Sequence, residues 1–438
     1  MASYRYIQLV NFVWILALAI YILAGVPLVP FHGDESTLIY MSRDYDYVFI
    51  QHDLALVRYS DTPSSPTEQQ LRLLNGTIHK NLIGLARQLR GITTTNEQWD
   101  WGADWDYNQS TGHAPNRDLL LTGRWVSAFF LAGGVVIMFI LGKELGGRPV
   151  AYLASLYYTL NPALLLNGRR AMQEGSMIFF GLLVVLAGIW LLKKQTWWMA
   201  ALLGIAAGLA LASKHTNAFT VAAVFGAIGL YTMIGFGRAK ILSIVYLIIA
   251  ALITITLFYT LNPVWCGDPI ARAGTVLNER TALLDLQVNI FGGYANFADQ
   301  LAGFGRQSLI VRPQYYEVET WAGYIGDQIQ RYESSLLRGM SIAGSLPGAI
   351  FLYGLILLGV WAVLRDKHIP QETRFVIGIW AVFILLTTAL LTPLEWQRYY
   401  LTAYPAVGLL ASLGTLRLFA FFAPLRLKKL SQHQQSIR

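Results

Sequence analysis

The sequence predicts an all-α polytopic membrane protein: a bundle of about ten transmembrane helices with two long extracytoplasmic loops that carry amphipathic helices. Three observations predict it. The 438-residue chain is 55% hydrophobic and only 13% charged, with a mean hydropathy of +0.45. Apolar runs long enough to cross a hydrocarbon core of about 30 Å recur from one end to the other. Of 25 acidic residues, 20 fall in two stretches, 31–118 and 262–343, so polar chain alternates with apolar chain in blocks.

The apolar runs lie at 8–29, 119–141, 150–166, 176–192, 196–213, 217–235, 240–261, 345–364, 375–392 and 399–422. The first reads as an anchor, because LAGVPLVP offers no small-x-small cleavage site before the acidic pair that follows. With the N-terminus placed in the cytoplasm, ten spans put Arg5, Lys143, Arg148, Lys193, Lys194, Arg238, Lys240, Arg365, Lys367, Arg374 and Arg417 on the cytoplasmic side. The basic tail 423–438, with Arg426, Lys428, Lys429 and Arg438, joins them. Short outer loops receive only Arg169, Arg170, Lys214 and Arg398. That asymmetry follows the positive-inside rule, predicts both termini cytoplasmic, and places 31–118 and 262–343 outside. The net charge of +8 therefore reports topology and contact with membrane lipids, not nucleic-acid binding. A single cysteine, Cys266, excludes an internal disulfide and a zinc-thiolate site.

Within the first polar segment, Leu71, Leu74, Ile78, Leu82, Leu85 and Leu89 form one apolar stripe at helical spacing. It predicts a helix over 67–89 lying on the outer membrane face or against the second loop. Trp99, Trp101, Trp105 and Tyr107 alternate with Asp100, Asp104 and Asp106. Such aromatics sit at headgroup level, and sugar stacking is the alternative reading. The second polar segment reads as short amphipathic helices, in RTALLDLQVNIFGGYANFADQL and in QYYEVETWAGYIGDQIQRYESSLLRG. The pentapeptide YTLNP recurs at Tyr158–Pro162 and Tyr259–Pro263 as ordinary helix termination. No Gly-rich phosphate loop, dinucleotide fingerprint, HExxH or Cys/His cluster occurs. An enzyme of this kind would draw its activated substrate from the membrane.

Five features converge on the outer side. FHGDES places Asp34 and Glu35 at the exit of the first span; NGRRAMQEG carries Arg169, Arg170 and Glu174; ASKHTN carries Lys214 and His215. LEWQRYY carries Glu395, Arg398 and Tyr399, and His113 and Arg117 stand before the second span. Each cation alone could snorkel to lipid or pair with Glu174 or Glu395. Four of them facing a membrane-edge carboxylate pair point instead to an anionic ligand, since arginine grips phosphate in a fork and lysine acts as a point charge.

These motifs resemble the GT-C class of polyprenyl-phosphate-sugar-dependent glycosyltransferases, in the branch of protein O-mannosyltransferases and aminoarabinose transferases. FHGDES resembles their acidic first-loop motif, and the stretch HAPNRDLLLTGRW onward through ELGGRP resembles their passage from a His-Pro-Pro-Leu-like entry to a cytoplasmic turn. GLALASKHTNAF resembles their Gly-rich helix ending in a Ser/Thr-Lys pair, and EWQRYYLTAYP their late Arg-Tyr motif. The chain departs from the pattern at His113-Ala114-Pro115-Asn116 and at Glu174, where aspartate is commoner.

The resemblance implies an inverting transfer of a sugar from a polyprenyl-phosphate donor to a hydroxyl of a protein, lipid or glycan. Asp34 would be the base, with Glu35 orienting it or the acceptor. Arg398, Arg170, Lys214 and Arg169 would bind the carrier phosphate. Glu174, His113 and Tyr399 would contact acceptor or sugar. No cofactor is required by the residues; the class has metal-dependent and metal-independent members, so a divalent cation stays open. A transporter or flippase of a lipid-linked or anionic substrate is the main alternative, but two outer loops of this length do not suit it.

Overall fold

The computed structural model describes residues 2–235, 240–310 and 312–435. Helices occupy every apolar run, and no strand occurs among the described residues. In chain order the helices of six residues or more are α1 (Ala2–Ala24), α2 (Gly33–Tyr40), α3 (Pro66–Leu74), α4 (Ile78–Leu89), α5 (Trp105–Ser110) and α6 (Arg117–Leu160). There follow α7 (Pro162–Arg169), α8 (Glu174–Lys194), α9 (Trp197–Ser213), α10 (Asn217–Met233), α11 (Lys240–Leu261) and α12 (Pro269–Phe291). The last are α13 (Phe297–Gly305), α14 (Ala322–Ser334), α15 (Leu346–Arg365), α16 (Gln371–Leu391) and α17 (Ala403–Gln435).

Seven of the described helices are long and apolar enough to cross a membrane, and α9 and α10, with 17 residues each, are apolar but shorter. The chain is thus an integral multi-pass membrane protein. α6 alone covers two of the expected runs. Its 44 residues break at Gly146 and Gly147. Gly147 has φ +75°, a conformation glycine reaches without steric cost, and Pro149 then starts the return helix. Tyr158 Oη donates to the Leu131 carbonyl at 3.0 Å, so the two halves run antiparallel as a hairpin. This hairpin packs with α1, α8 and α17 around Leu131, Val135, Met138, Val185 and Leu410, all nearly inaccessible.

Both polar segments fold over the same end of the bundle. The Phe31 N–H donates to Gln328 Oε1 at 2.9 Å, and Gln70 Nε2 to Glu279 Oε2 at 2.6 Å, joining one segment to the other. Each is also tied to a span: Thr77 N–H to the Ala212 carbonyl and Met340 N–H to the Leu160 carbonyl, both at 2.7 Å. The Lys367 turn, with Arg365 and Arg374, lies at the opposite end of α15 and α16. Arg238 and the side chains of the basic tail 423–438 lie outside the described residues.

The helix expected over 67–89 is two helices. It breaks at Asn75-Gly76-Thr77, where a Cβ on Gly76 would stand 2.1 Å from the Ser213 carbonyl oxygen; only glycine permits this approach. Its buried side is also not the leucine stripe. His79, Lys80, Ile83, Gly84 and Arg87 face inward, while Leu89 is exposed. Polar partners decide the orientation: Lys80 Nζ and Arg72 Nε reach the buried Asp44 carboxylate at 2.6 and 2.9 Å, and Arg87 reaches Ser42 and Asp46 at 3.0 Å each.

Arg169 is a strut in this end of the fold. It is fully buried and donates to the carbonyls of Ile22 at 2.7 Å, Tyr21 at 2.8 Å and Leu337 at 2.6 Å, and to Tyr332 Oη at 3.1 Å. α1, α7 and the second polar segment meet on this one guanidinium. It lies over Gly25, where a Cβ would sit 2.2 Å from its central carbon. Gly25→Ala should therefore push the strut aside and destabilise the protein by about 1–3 kcal/mol. A thermal melt of the detergent-solubilised variant should show a clear fall in Tm, and an unchanged Tm would contradict this packing.

Candidate active site

The site is built on the short helix α2, which starts where the chain leaves α1. His32 is its N-cap. Nδ1 of His32 accepts from the Asp34 N–H at 3.1 Å, and the Glu35 carboxylate accepts from the His32 N–H at 3.1 Å. This is a capping box in which histidine takes the place of serine. Because Nδ1 accepts, the ring proton sits on Nε2 and is donated to Glu317 Oε2 at 2.7 Å. Burial holds the His32 pKa below its usual value, against the pull of Glu317, which keeps the ring neutral. Burial pushes the Glu317 carboxyl up, but His32 and Arg170 outweigh it and hold the group below the usual carboxylate range.

Glu35 is completely inaccessible. It receives a bidentate pair from Arg124, Nε at 2.7 Å and Nη2 at 2.8 Å, together with the Ala171 N–H at 2.8 Å. Arg124 completes the connection by donating to the Val29 carbonyl at 2.7 Å. A carboxylate with both oxygens occupied in this way has no free lone pair for a substrate. It fixes α2 against α6 and the 170–172 turn, and so fixes the residue beside it.

That residue is Asp34, and its side chain is 25% exposed. It pairs directly with Nη1 of Arg398, which reaches it from the turn before α17. Arg398 lies above the rings of Trp396 at 4.9 Å and Tyr399 at 5.7 Å, and its Nε is 3.7 Å from Glu317 Oε1. Arg170, also buried, donates to the carbonyls of Pro30 at 3.2 Å and Tyr315 at 2.7 Å. The fields of Glu35 and Glu317 reach it. His32, Asp34, Glu317, Arg398 and Arg170 therefore form one cluster at the polar end of the bundle.

Of the other candidates, Tyr399 borders the centre through its ring beside Arg398, and the rest stand apart from it. Lys214 and Glu174 pair with each other at 2.6 Å, and the second oxygen of Glu174 is buried without a hydrogen-bond partner among the described residues. Arg169 is the strut already described. His113 Nδ1 contacts the Gln98 carbonyl, and the His113 carbonyl accepts from Ser36 Oγ at 2.5 Å, so this residue steadies α2 from outside. Tyr399 Oη donates to Gln287 Oε1 at 3.1 Å. Asp44 is sealed between Arg72 and Lys80.

Four residues at or near the centre were not singled out by sequence: His32, Arg124, Glu317 and Arg280. Arg124, a cation inside an apolar run, carried a readable signal; Glu317, in QYYEVET, carried none. Arg280 donates to the Leu74 carbonyl at 3.1 Å, feels Tyr399 and His215, and has no carboxylate partner among the described residues. No group of three His, Cys, Asp or Glu side chains is arranged to hold a metal ion among the described residues. The central carboxylates face Arg398, Arg124 and His32 rather than one another.

Comparison with known proteins agrees with the resemblance in the sequence. Residues 77–266 match the family described as dolichyl-phosphate-mannose-protein mannosyltransferase. No curated protein sequence matches the chain. Its fold is shared with ArnT from Cupriavidus metallidurans in the apo state, at 12% identity and a TM-score of 0.50, over 94% of this chain and 60% of that one. It is shared too with the Archaeoglobus fulgidus oligosaccharyltransferase in complex with zinc and sulfate, at 14% identity and a TM-score of 0.51, over 94% of this chain and 49% of that one. The same organism's AglB, in complex with an inhibitory peptide and a dolichol-phosphate, matches at 14% identity and a TM-score of 0.52, over 96% and 52% of the two chains. The chain thus spans about half to three fifths of these proteins. Its architecture is the all-helical membrane fold that these proteins share.

The histidines around the site give the protein a definite acid response. Burial lowers His79 to about 3 and His215 to about 4, from an ordinary value of 6.5. An unfolded chain takes up these protons near pH 6.5 and the folded chain does not, so stability is full above that pH and falls as acidity increases. Each such histidine contributes a slope of about 1.4 kcal/mol per pH unit below it. Tm should fall progressively from pH 7 to pH 5, and His79→Gln should flatten the slope. A Tm independent of pH over that range would mean that these rings are charged in the fold.

Proposed function

We propose that the protein is a membrane glycosyltransferase that moves a sugar from a polyprenyl-phosphate donor to a hydroxyl, with inversion at the anomeric carbon. The observation that carries this reading is the contact between Asp34 and Arg398. A partly open carboxylate and a stacked guanidinium meet at the polar end of a GT-C bundle, where the reaction needs a base and a phosphate ligand. AglB, which shares the fold, is described with a dolichol-phosphate and a peptide. That pairing of lipid phosphate and acceptor fits the same division of labour.

In this mechanism the donor phosphate competes with Asp34 for Arg398. Once Arg398 turns to the phosphate, the carboxylate of Asp34 is free to accept the proton of the acceptor hydroxyl. The hydroxyl oxygen bonds to the anomeric carbon from one side, and the carbon–oxygen bond to phosphate breaks on the other. The departing phosphate keeps the electron pair and is stabilised by Arg398. Arg280, unpaired with any carboxylate among the described residues and within the field of Tyr399, is a second cation for it. Arg170 contributes through the field of a buried charge, and Lys214 contributes if its link to Glu174 opens. Glu35, Arg124, His32 and Glu317 hold Asp34 in register.

The polar end is proposed to face the extracytoplasmic side. The short turns at the opposite end carry Lys143, Arg148, Lys193, Lys194, Arg365 and Lys367, as the positive-inside rule expects of cytoplasmic turns. The shared fold favours this reading over a transporter or flippase.

Purified protein in nanodiscs should release polyprenyl phosphate and yield a glycosylated product from at least one member of a panel of polyprenyl-phosphate sugars, read by mass spectrometry. Asp34→Asn should lower turnover by about 10²–10⁴-fold while donor binding persists. Arg398→Ala should weaken donor use, with partial recovery in Arg398→Lys. Wild-type turnover in Asp34→Asn would remove the proposed base. For sidedness, single cysteines at Asn278 and Lys367 in a Cys266→Ser background should react with an impermeant thiol reagent from the outside and the inside respectively. The reverse pattern would invert the topology.

A further inference from the structure

The tryptophans of 99–105 close on the second polar segment. Phe31, Trp99 and Trp321 are buried together, and Trp105 packs edge-on to Trp321 at 5.3 Å. Two parallel stacks complete the group. Trp101 lies on Trp321 at 5.5 Å and 6°, and Trp105 lies on Tyr324 at 5.1 Å and 8°. Each stack leaves one ring open, Trp101 at 48% and Tyr324 at 45% exposure. The shelf they form is continuous with the catalytic helix. A Cβ on Gly33 would stand 2.9 Å from Trp321 and 3.0 Å from Trp101, so both indole edges rest on the residue that precedes Asp34.

Charge defines what this shelf can take. Residues 98–111 contain three aspartates and no lysine or arginine. Asp100, Asp104 and Asp106 are all exposed. Asp100 and Asp104 each spend one oxygen on a backbone N–H, of Gly102 at 2.8 Å and of Tyr107 at 2.7 Å. Their other oxygens are open to a ligand. Three carboxylates repel phosphate, acidic sugars and anionic headgroups, and this argues against both the carrier phosphate and a lipid anchor. A neutral pyranose suits the surface. Its C–H face lies flat on an aromatic ring and its hydroxyls donate to carboxylates.

We infer that the shelf of Trp101, Trp105 and Tyr324, rimmed by Asp100, Asp104 and Asp106, is a saccharide subsite for the acceptor, so that the hydroxyl brought to Asp34 belongs to a neutral glycan. The inference rests on the glycosyl-transfer reading above. It places the acceptor on the carboxylate side of Asp34 and leaves the donor phosphate to the cations on the other.

Binding and transfer separate the two readings. Asp34→Asn protein in nanodiscs, which keeps ligands unreacted, is titrated with neutral gluco-, manno- and galacto-tetrasaccharides. The measurements are tryptophan fluorescence and saturation-transfer NMR. At least one tetrasaccharide should bind and perturb tryptophan emission. Trp101→Ala should weaken it at least about fivefold, and Trp101→Phe should restore part, because the smaller ring still offers a face for the sugar to lie on. In otherwise native protein, Trp101→Ala should raise the acceptor KM and spare kcat. The inference is overturned if no neutral tetrasaccharide binds, if binding ignores Trp101, or if brominated lipid quenches the emission lost in Trp101→Phe. Transfer to a non-saccharide acceptor alone would overturn the subsite and keep the enzyme; saccharide binding with no transfer from any donor would do the opposite.

Discussion

Everything at the polar end depends on one buried ion pair. Glu35 and Arg124 meet through two short bonds in a place with no access to water. Two charges brought out of water cost several kcal/mol unless every remaining lone pair and proton is satisfied. The Ala171 and His32 N–H groups complete the carboxylate, and the Val29 carbonyl takes one further proton of the guanidinium. The pair therefore has one allowed geometry, and three separate pieces of chain must converge to provide it. α2 is only eight residues long and has no stability of its own. It is a helix because its first turn is held from α6 and from the 170–172 turn.

The same constraint explains the difference between two adjacent carboxylates. Successive helical residues point about 100° apart, so fixing Glu35 inward turns Asp34 toward a different neighbour. Asp34 meets Arg398, from a turn 364 residues away in sequence, and stays partly open. Neighbours in sequence thus take opposite places, one sealed and the other partly open. In the proposed reaction, an arginine shared between base and incoming anion would also order events, because the base would be released only when the anion arrives.

The sequence was most legible where a property is local. Hydropathy located the spans, and Gly146-Gly147-Arg148-Pro149 marked the turn that makes α6 a hairpin. The Asp34-Glu35 pair was readable from its place at a membrane edge. Less legible was what each outer-loop cation does. Arg169 and Lys214 looked like anion ligands because short outer loops rarely carry positive charge. In the fold, one of them satisfies backbone carbonyls and the other satisfies Glu174. A cation needs a partner there, but sequence does not say whether the partner is internal. Likewise the leucine stripe of 71–89 suggested one helix lying on the outer membrane face or against the second loop. Periodicity cannot register that Gly76 must pass against a carbonyl, or that Asp44 draws Lys80 and Arg72 inward.

Glu317 shows why the site could not be completed from local pattern. It stands among ordinary loop residues, yet it accepts the hydrogen bond from His32 Nε2 and lies beside Arg398. Its field acts on two groups at once. By accepting from Nε2 it fixes the His32 tautomer that leaves Nδ1 free to cap Asp34. By standing 3.7 Å from Arg398 it offers the guanidinium a second anion. An arginine between two carboxylates can swing toward a phosphate without ever becoming an uncompensated buried charge, which would cost about 3–5 kcal/mol. In the proposed reaction the second polar segment would thus supply the counter-charge that lets Arg398 leave Asp34. Glu317, partly buried in that segment, stands beside the arginine.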